Sequence, residues 1–190
     1  MDTSQNKFYE GMTRLILKTI DGMGLDTEQR LRAKNLALLF RDSFKSPQIK
    51  QATFPEEQPE PPEIADRIYA SNGFCRASSI AFIILMGGEE NGWRLMAIPE
   101  IFEPYGPHHY ILHKPSNTIL DLTADQFTHY DSLQNIPYQY GKPVFDKNLV
   151  KVIAKDSPAL FAAALGIDLV KEAQKLNTIS TQHAKTRTGR

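Results

Sequence analysis

Residues 75–86, CRASSIAFIILM, offer no polar face to solvent beyond their first turn. The length of this run and its small residues Ala77, Ser78, Ser79 and Ala81 predict a buried helix, although its isoleucines also permit a strand. Gly87-Gly88 follows at once and reads as a helix stop. The most apolar part, Ile80 to Met86, is far too short to cross a bilayer, which takes about 20 residues. An element apolar all round has to be covered by the rest of the chain.

The sequence supplies that cover from both sides. It has 190 residues, enough for one domain with a real core. Residues 1–45 read as a pair of helices. The first carries Phe8, Met12, Leu15, Ile16, Thr19 and Met23 at helical spacing. The second starts at Asp26, with Gln29 placed for a capping box, and brings Leu31, Leu36, Leu38, Leu39, Phe40 and Phe44. The short joint around Gly22 and Gly24 predicts an antiparallel pair. Residues 46–63 contain FPEEQPEPPE and read as an extended, stiff connector. Residues 64–177 form the α+β core. It begins with a short helix over Ile64 to Ala70 and a turn at Ser71-Asn72-Gly73. Strands are expected at Trp93 to Pro99, Tyr110 to His113, Thr118 to Leu122, Lys142 to Phe145 and Val150 to Ala154. Ser157 followed by Pro158 marks the start of a helix running to Gly166, and Asp168 caps a last one. Residues 178–190 are polar and basic and read as a frayed tail.

Composition narrows the function classes. Lys plus Arg and Asp plus Glu number 22 each, so no basic excess points to nucleic acid. Cys75, the sole cysteine, excludes an internal disulfide and a multi-thiolate zinc site. No basic segment followed by an apolar run opens the chain, so a cytoplasmic protein with a free thiol and no membrane partner is expected. No cofactor motif is present. His108, His109 and His113 do not make a metal set: on a strand His109 and His113 share a face but stand about 13 Å apart. His113 and His129 read as surface residues. Trp93, Tyr105, Tyr110, Tyr138 and Tyr140 read as core or rim.

Three segments together suggest chemistry: NGFCRASS opening the buried helix, HHYIL in a strand, and ILDLTADQF in the next. A cysteine in the first turn of a helix gains thiolate character from the helix dipole, and the same N–H groups suit an oxyanion. Gly73 permits a sharp turn just before it. If the two strands form a hairpin, residues whose numbers sum to about 230 to 232 face each other. His109 then stands across from Asp121 or one step diagonal, and His108 points to the other sheet face. Cys75, His109 and Asp121 are thus the expected nucleophile, base and orienting carboxylate. Asp121 as a plain strand-end carboxylate, and Asp125 as a helix cap, are the simpler alternatives.

The order and spacing of these segments resemble the papain-like and transglutaminase-like cysteine enzymes, in which a Cys opens a buried helix and a His and an Asp or Asn follow on adjacent strands. GFCRASS is similar to the G-x-C-x-A segment around a papain-type nucleophile. The 34 positions from Cys75 to His109, and 12 more to Asp121, are closer to the compact transglutaminase core and the arylamine N-acetyltransferases. The resemblance covers Asn72 to about Phe127. Papain-type enzymes carry an oxyanion-binding Gln before the Cys, where this chain has Arg67, Ile68 and Tyr69. Asn72, Tyr69, Gln126 and His108 are therefore the candidates for oxyanion or substrate contact. The resemblance implies an α+β fold with the nucleophile helix on an antiparallel sheet, flanked by N- and C-terminal helices. It implies acyl transfer on a peptide or small amide, as a peptidase or amidase, with no metal or cofactor. Transglutaminase or N-acetyltransferase chemistry, or a non-catalytic scaffold of the same fold, are the alternatives. In the scaffold reading the Pro/Glu-rich segment serves a protein partner.

Overall fold

The apolar run folds as a helix, and the other elements are arranged around it. The computed structural model describes residues 3–56, 70–99, 107–127, 136–145, 149, 151–152 and 154–188. Within them lie α1 (Thr3–Asp21), α2 (Thr27–Ser43), α3 (Pro47–Thr53), α4 (Cys75–Leu85), α5 (Ser157–Ala164) and α6 (Leu169–Thr188). The strands are β1 (Trp93–Ile98), β2 (His108–His113), β3 (Thr118–Leu120) and β4 (Lys142–Pro143). They form one antiparallel sheet in the order β3-β2-β1-β4, so the chain is α+β.

Every residue of α4 from Ala77 to Leu85 is buried. The helix packs against β2, α5 and α6. It ends in a Schellman turn: the Gly88 N–H donates to Ile83 O at 2.8 Å and the Gly87 N–H to Ile84 O at 3.1 Å. Gly87 has φ +92°, and a Cβ there would meet the Asn91 side chain at 2.0 Å. The positive φ is what calls for glycine at the stop, since the Asn91 amide is a side-chain end that can move aside. In the β2–β3 hairpin the turn is closed by Asn117 in the left-handed region (φ 50°), which asparagine tolerates better than most residues.

The N-terminal helices pack on each other, and α2 buries small residues rather than leucines. The buried face of α2 is Ala33, Ala37, Phe40 and Arg41, whose 4-residue spacing makes a true helical stripe. Leu31, Leu38 and Leu39 lie off that stripe and are exposed, as is Leu15 on α1. Asp26 caps α2 as expected, accepting the Gln29 N–H at 2.8 Å.

Several boundaries differ from the sequence expectations. The connector does not start extended, because Ser46 caps α3 by accepting the Ile49 N–H and Pro47 fits its first turn. Residues 57–63, and the helix expected over Ile64 to Ala70 apart from its last residue, lie outside the described residues. No strand forms at 151, 152 or 154; Val152 is instead buried in the core without a ladder partner. Asp156 rather than Ser157 takes the cap position of α5. Asp168 caps α6 by accepting the Lys171 N–H at 3.0 Å. That helix continues past Asn177 to Thr188, since a polar sequence excludes burial but not helical hydrogen bonding. No described helix is long and apolar enough to cross a membrane.

Candidate active site

The turn before α4 sets the candidate nucleophile. Ser71 O accepts the Phe74 N–H at 3.1 Å, and Gly73 adopts φ +84°, a region that side chains rarely enter. Phe74 is fully buried, its ring packed on Phe44, Phe54 and Phe161 with centroids 4.8, 5.4 and 5.5 Å away. This anchor fixes Cys75 as the first residue of α4, with its side chain half-buried. Phe74 supplies no side-chain cap, so the positive end of the helix acts directly on the thiol.

The hairpin sets the base, and here the structure corrects the sequence expectation. Its pairs are Ile111 with Leu120, Leu112 with Ile119 and His113 with Thr118, so facing numbers sum to 231. One pair further on, Asp121 comes opposite Tyr110, on the face that Tyr110 shares with His108. His108, not His109, therefore meets Asp121: its Nε2 lies 2.6 Å from Asp121 Oδ2, with both residues buried. An odd sum selects one sheet face and an even sum the other, so a single step of register exchanges the two histidines.

Asp121 is held as an acceptor on both oxygens. Oδ2 takes His108 and the Tyr138 hydroxyl, also at 2.6 Å. Oδ1 takes the Thr123 N–H at 2.9 Å and the Thr123 hydroxyl at 3.2 Å. Burial alone would raise its pKa, but the His108 charge and these hydrogen bonds hold it below the ordinary carboxylate value. The same pairing acts on His108. Burial disfavours its cation, yet the Asp121 charge and hydrogen bond, reinforced by Cys75, push its pKa up to about 10.

Asp121 occupies Nε2, so any proton exchange with the thiol falls to Nδ1, which also has the Gln126 amide 2.8 Å away. Burial opposes ionisation of Cys75. Hydrogen bonding from the His108 and His109 side chains, the His108 charge and the His109 backbone N–H outweigh it and bring the thiol down to about 6. His109 thus touches the nucleophile without touching the carboxylate, and its Nδ1 is buried without a hydrogen-bond partner among the described residues. The charge of Asp121 and these hydrogen bonds favour a thiolate beside an imidazolium, the reactive form of a cysteine nucleophile, while the Gln126 amide 2.8 Å from His108 Nδ1 opposes it.

The other expected site residues fall as follows. Gln126 does not wait free for substrate: its Nε2 lies 2.8 Å from His108 Nδ1 and 3.1 Å from Thr123 Oγ1. Asn72 sits half-buried in the turn before the nucleophile. Tyr69, Tyr105 and His129 lie outside the described residues. His113 is not a surface residue; it is buried against Trp93 and its Nδ1 is 2.7 Å from Ser116 Oγ. Asp125 is not a helix cap. It is fully buried and ion-paired with Arg41, and it accepts the Ser71 hydroxyl at 2.8 Å. Arg41 also donates to Leu122 O at 3.0 Å and Tyr9 O at 2.9 Å. Sequence reasoning missed Arg41, Ser71 and Tyr138 as parts of the site. A buried arginine on the alanine face of α2 was the available signal; Tyr138, in an irregular segment, carries none. Among the described residues no three His, Cys, Asp or Glu side chains cluster to hold a metal ion.

Comparison with known proteins finds no matching protein-family pattern, no similar curated protein and no similar solved structure.

Proposed function

We propose that this protein is a thiol-dependent acyl-transfer enzyme of papain-like or transglutaminase-like fold, working first as a peptidase or amidase. The observation that carries the reading is the His108–Asp121 contact at 2.6 Å beside a thiol at a helix N-terminus. Cys75 attacks an amide carbonyl as thiolate, forming the C–S bond. The developing oxyanion meets the Cys75 N–H at the start of α4. His108 Nδ1 gives its proton to the leaving nitrogen as the C–N bond breaks, leaving a thioester. Water, deprotonated by the now neutral His108, then releases the acid and restores the thiol. Asp121 holds the ring in the orientation that keeps Nδ1 toward sulfur, and Tyr138 and Thr123 hold Asp121. An amine in place of water gives the transferase version of the same cycle.

The test uses p-nitrophenyl acetate as an activated acyl donor. The expected result is acetyl transfer to Cys75, seen by intact mass, reversed by hydroxylamine and lost in Cys75→Ser. His108→Ala abolishes it, whereas His109→Ala weakens it. No thioester in the wild-type protein, or equal labelling in His108→Ala, overturns the reading and leaves a binding scaffold with an inert thiol. Iodoacetamide alkylation gives a second measure: its rate rises with pH through about 6 rather than near the ordinary thiol value.

A further inference from the structure

Gln126 closes a ring of hydrogen bonds around the base. One Gln126 N–H points to His108 Nδ1 and the other to Thr123 Oγ1. The Thr123 hydroxyl donates in turn to Asp121 Oδ1, and Asp121 Oδ2 faces His108 Nε2. Each donor in this cycle meets an acceptor only if His108 is neutral, with its proton on Nε2 and a lone pair on Nδ1. That lone pair is also the one that must receive the Cys75 proton. An imidazolium would set Nδ1–H against the Gln126 N–H, so forming the ion pair requires that N–H to leave Nδ1.

We infer that Gln126 is a positioning residue that competes with Cys75 for His108 Nδ1 and so governs how readily the reactive ion pair forms. This rests on the acyl-transfer reading of the same site. When the Gln126 N–H leaves Nδ1, the thiol proton passes from sulfur to that nitrogen and the thiolate and imidazolium appear together. When it returns, the proton goes back to sulfur. Thr123 sets the balance by fixing which end of the carboxamide faces the ring. The groups around His108 are otherwise Asp121, Cys75 and the edge-on ring of Phe127, with Tyr138 reaching it through Asp121. The Arg41–Asp125 pair is bonded instead to Tyr9, Leu122 and Ser71.

The experiment is the pH profile of Cys75 alkylation by iodoacetamide in the wild type, Gln126→Ala and Thr123→Val. Loss of the competitor moves the acid limb to lower pH, giving about threefold to tenfold faster alkylation below pH 6, the size of one net hydrogen bond. Thr123→Val, which keeps Gln126 but frees its amide to turn, moves the limb the same way by less. Imidazole 15N spectra at pH 7 show a larger share of doubly protonated His108 in Gln126→Ala than in the wild type. A residue that merely propped the ring in place would give the opposite sign: slower alkylation and an acid limb at higher pH. That result, or no shift in either variant, overturns the inference. The two claims fail separately. A thioester without a shifted profile removes only the role of Gln126; a shifted profile without a thioester removes only the enzyme reading.

Discussion

Two buried cation–carboxylate pairs take their carboxylates from positions four residues apart, and they differ in one respect. Arg41–Asp125 joins α1 and α2 to the turn after β3, and His108–Asp121 joins β2 to the end of β3. Arginine keeps its charge at any working pH, so the first pair is a fixed tie. Histidine can lose its charge, so the second pair is a poised one. The contrast separates what holds the candidate site together from what the proposed chemistry would use. The fixed pair holds Ser71 and hence the nucleophile turn, while the poised pair sets the state of the sulfur.

The largest expected effect breaks the poised pair. Asp121→Asn keeps the shape but removes the charge and favours the wrong ring tautomer, so acyl transfer from p-nitrophenyl acetate falls on the order of 10³–10⁴-fold. Next comes the fixed pair. Arg41→Met leaves Asp125 as an uncompensated buried carboxylate and costs about 3–5 kcal/mol of stability, measured by urea unfolding. If Asp121→Asn leaves acyl transfer intact, or Arg41→Met proves mainly inactivating in a fully folded protein, the division of labour is wrong.

The pH dependence sharpens the same contrast. Asp121 is depressed below 3.8, so its contribution to stability is present above that value and is lost as pH falls through its folded pKa. His108 is raised from 6.5 to about 10, so its contribution is full below 6.5 and fades as pH rises toward 10. The stability gap between wild type and Asp121→Asn is therefore greatest between about pH 4 and 6.5 and shrinks on either side. Burial holds Asp125 above the ordinary carboxylate value even beside Arg41, so in Arg41→Met the stranded carboxyl takes up a proton more readily and that gap narrows as pH falls and widens as it rises. Urea midpoints taken across pH distinguish the two. The smallest effect is Ser71→Ala, which removes one buried hydrogen bond to Asp125 and costs about 1 kcal/mol.

Much of the scaffold was legible because it rests on local signals. The buried helix, its glycine stop and the caps at Asp26 and Asp168 follow from residue type and spacing over a few positions. The hairpin pairing was legible to within one step. That step decided the base, since alternation makes neighbouring histidines face opposite ways and nothing local favours a sum of 231 over 230. The leucines of α2 misled because they outnumber the alanines that make the contact, although Ala33 and Ala37 keep the better period. Arg41–Asp125 and Tyr138–Asp121 join segments 84 and 17 residues apart and leave no periodic trace in the sequence.

The Arg41 tie also bears on what can be cut away. A shortened chain that kept the sulfur, imidazole and carboxylate but lacked the amino-terminal hairpin would strand a charge in an apolar interior and loosen the nucleophile turn. The candidate site and the first two helices therefore stand or fall together, and a fragment starting at the Pro/Glu-rich connector is not expected to assemble.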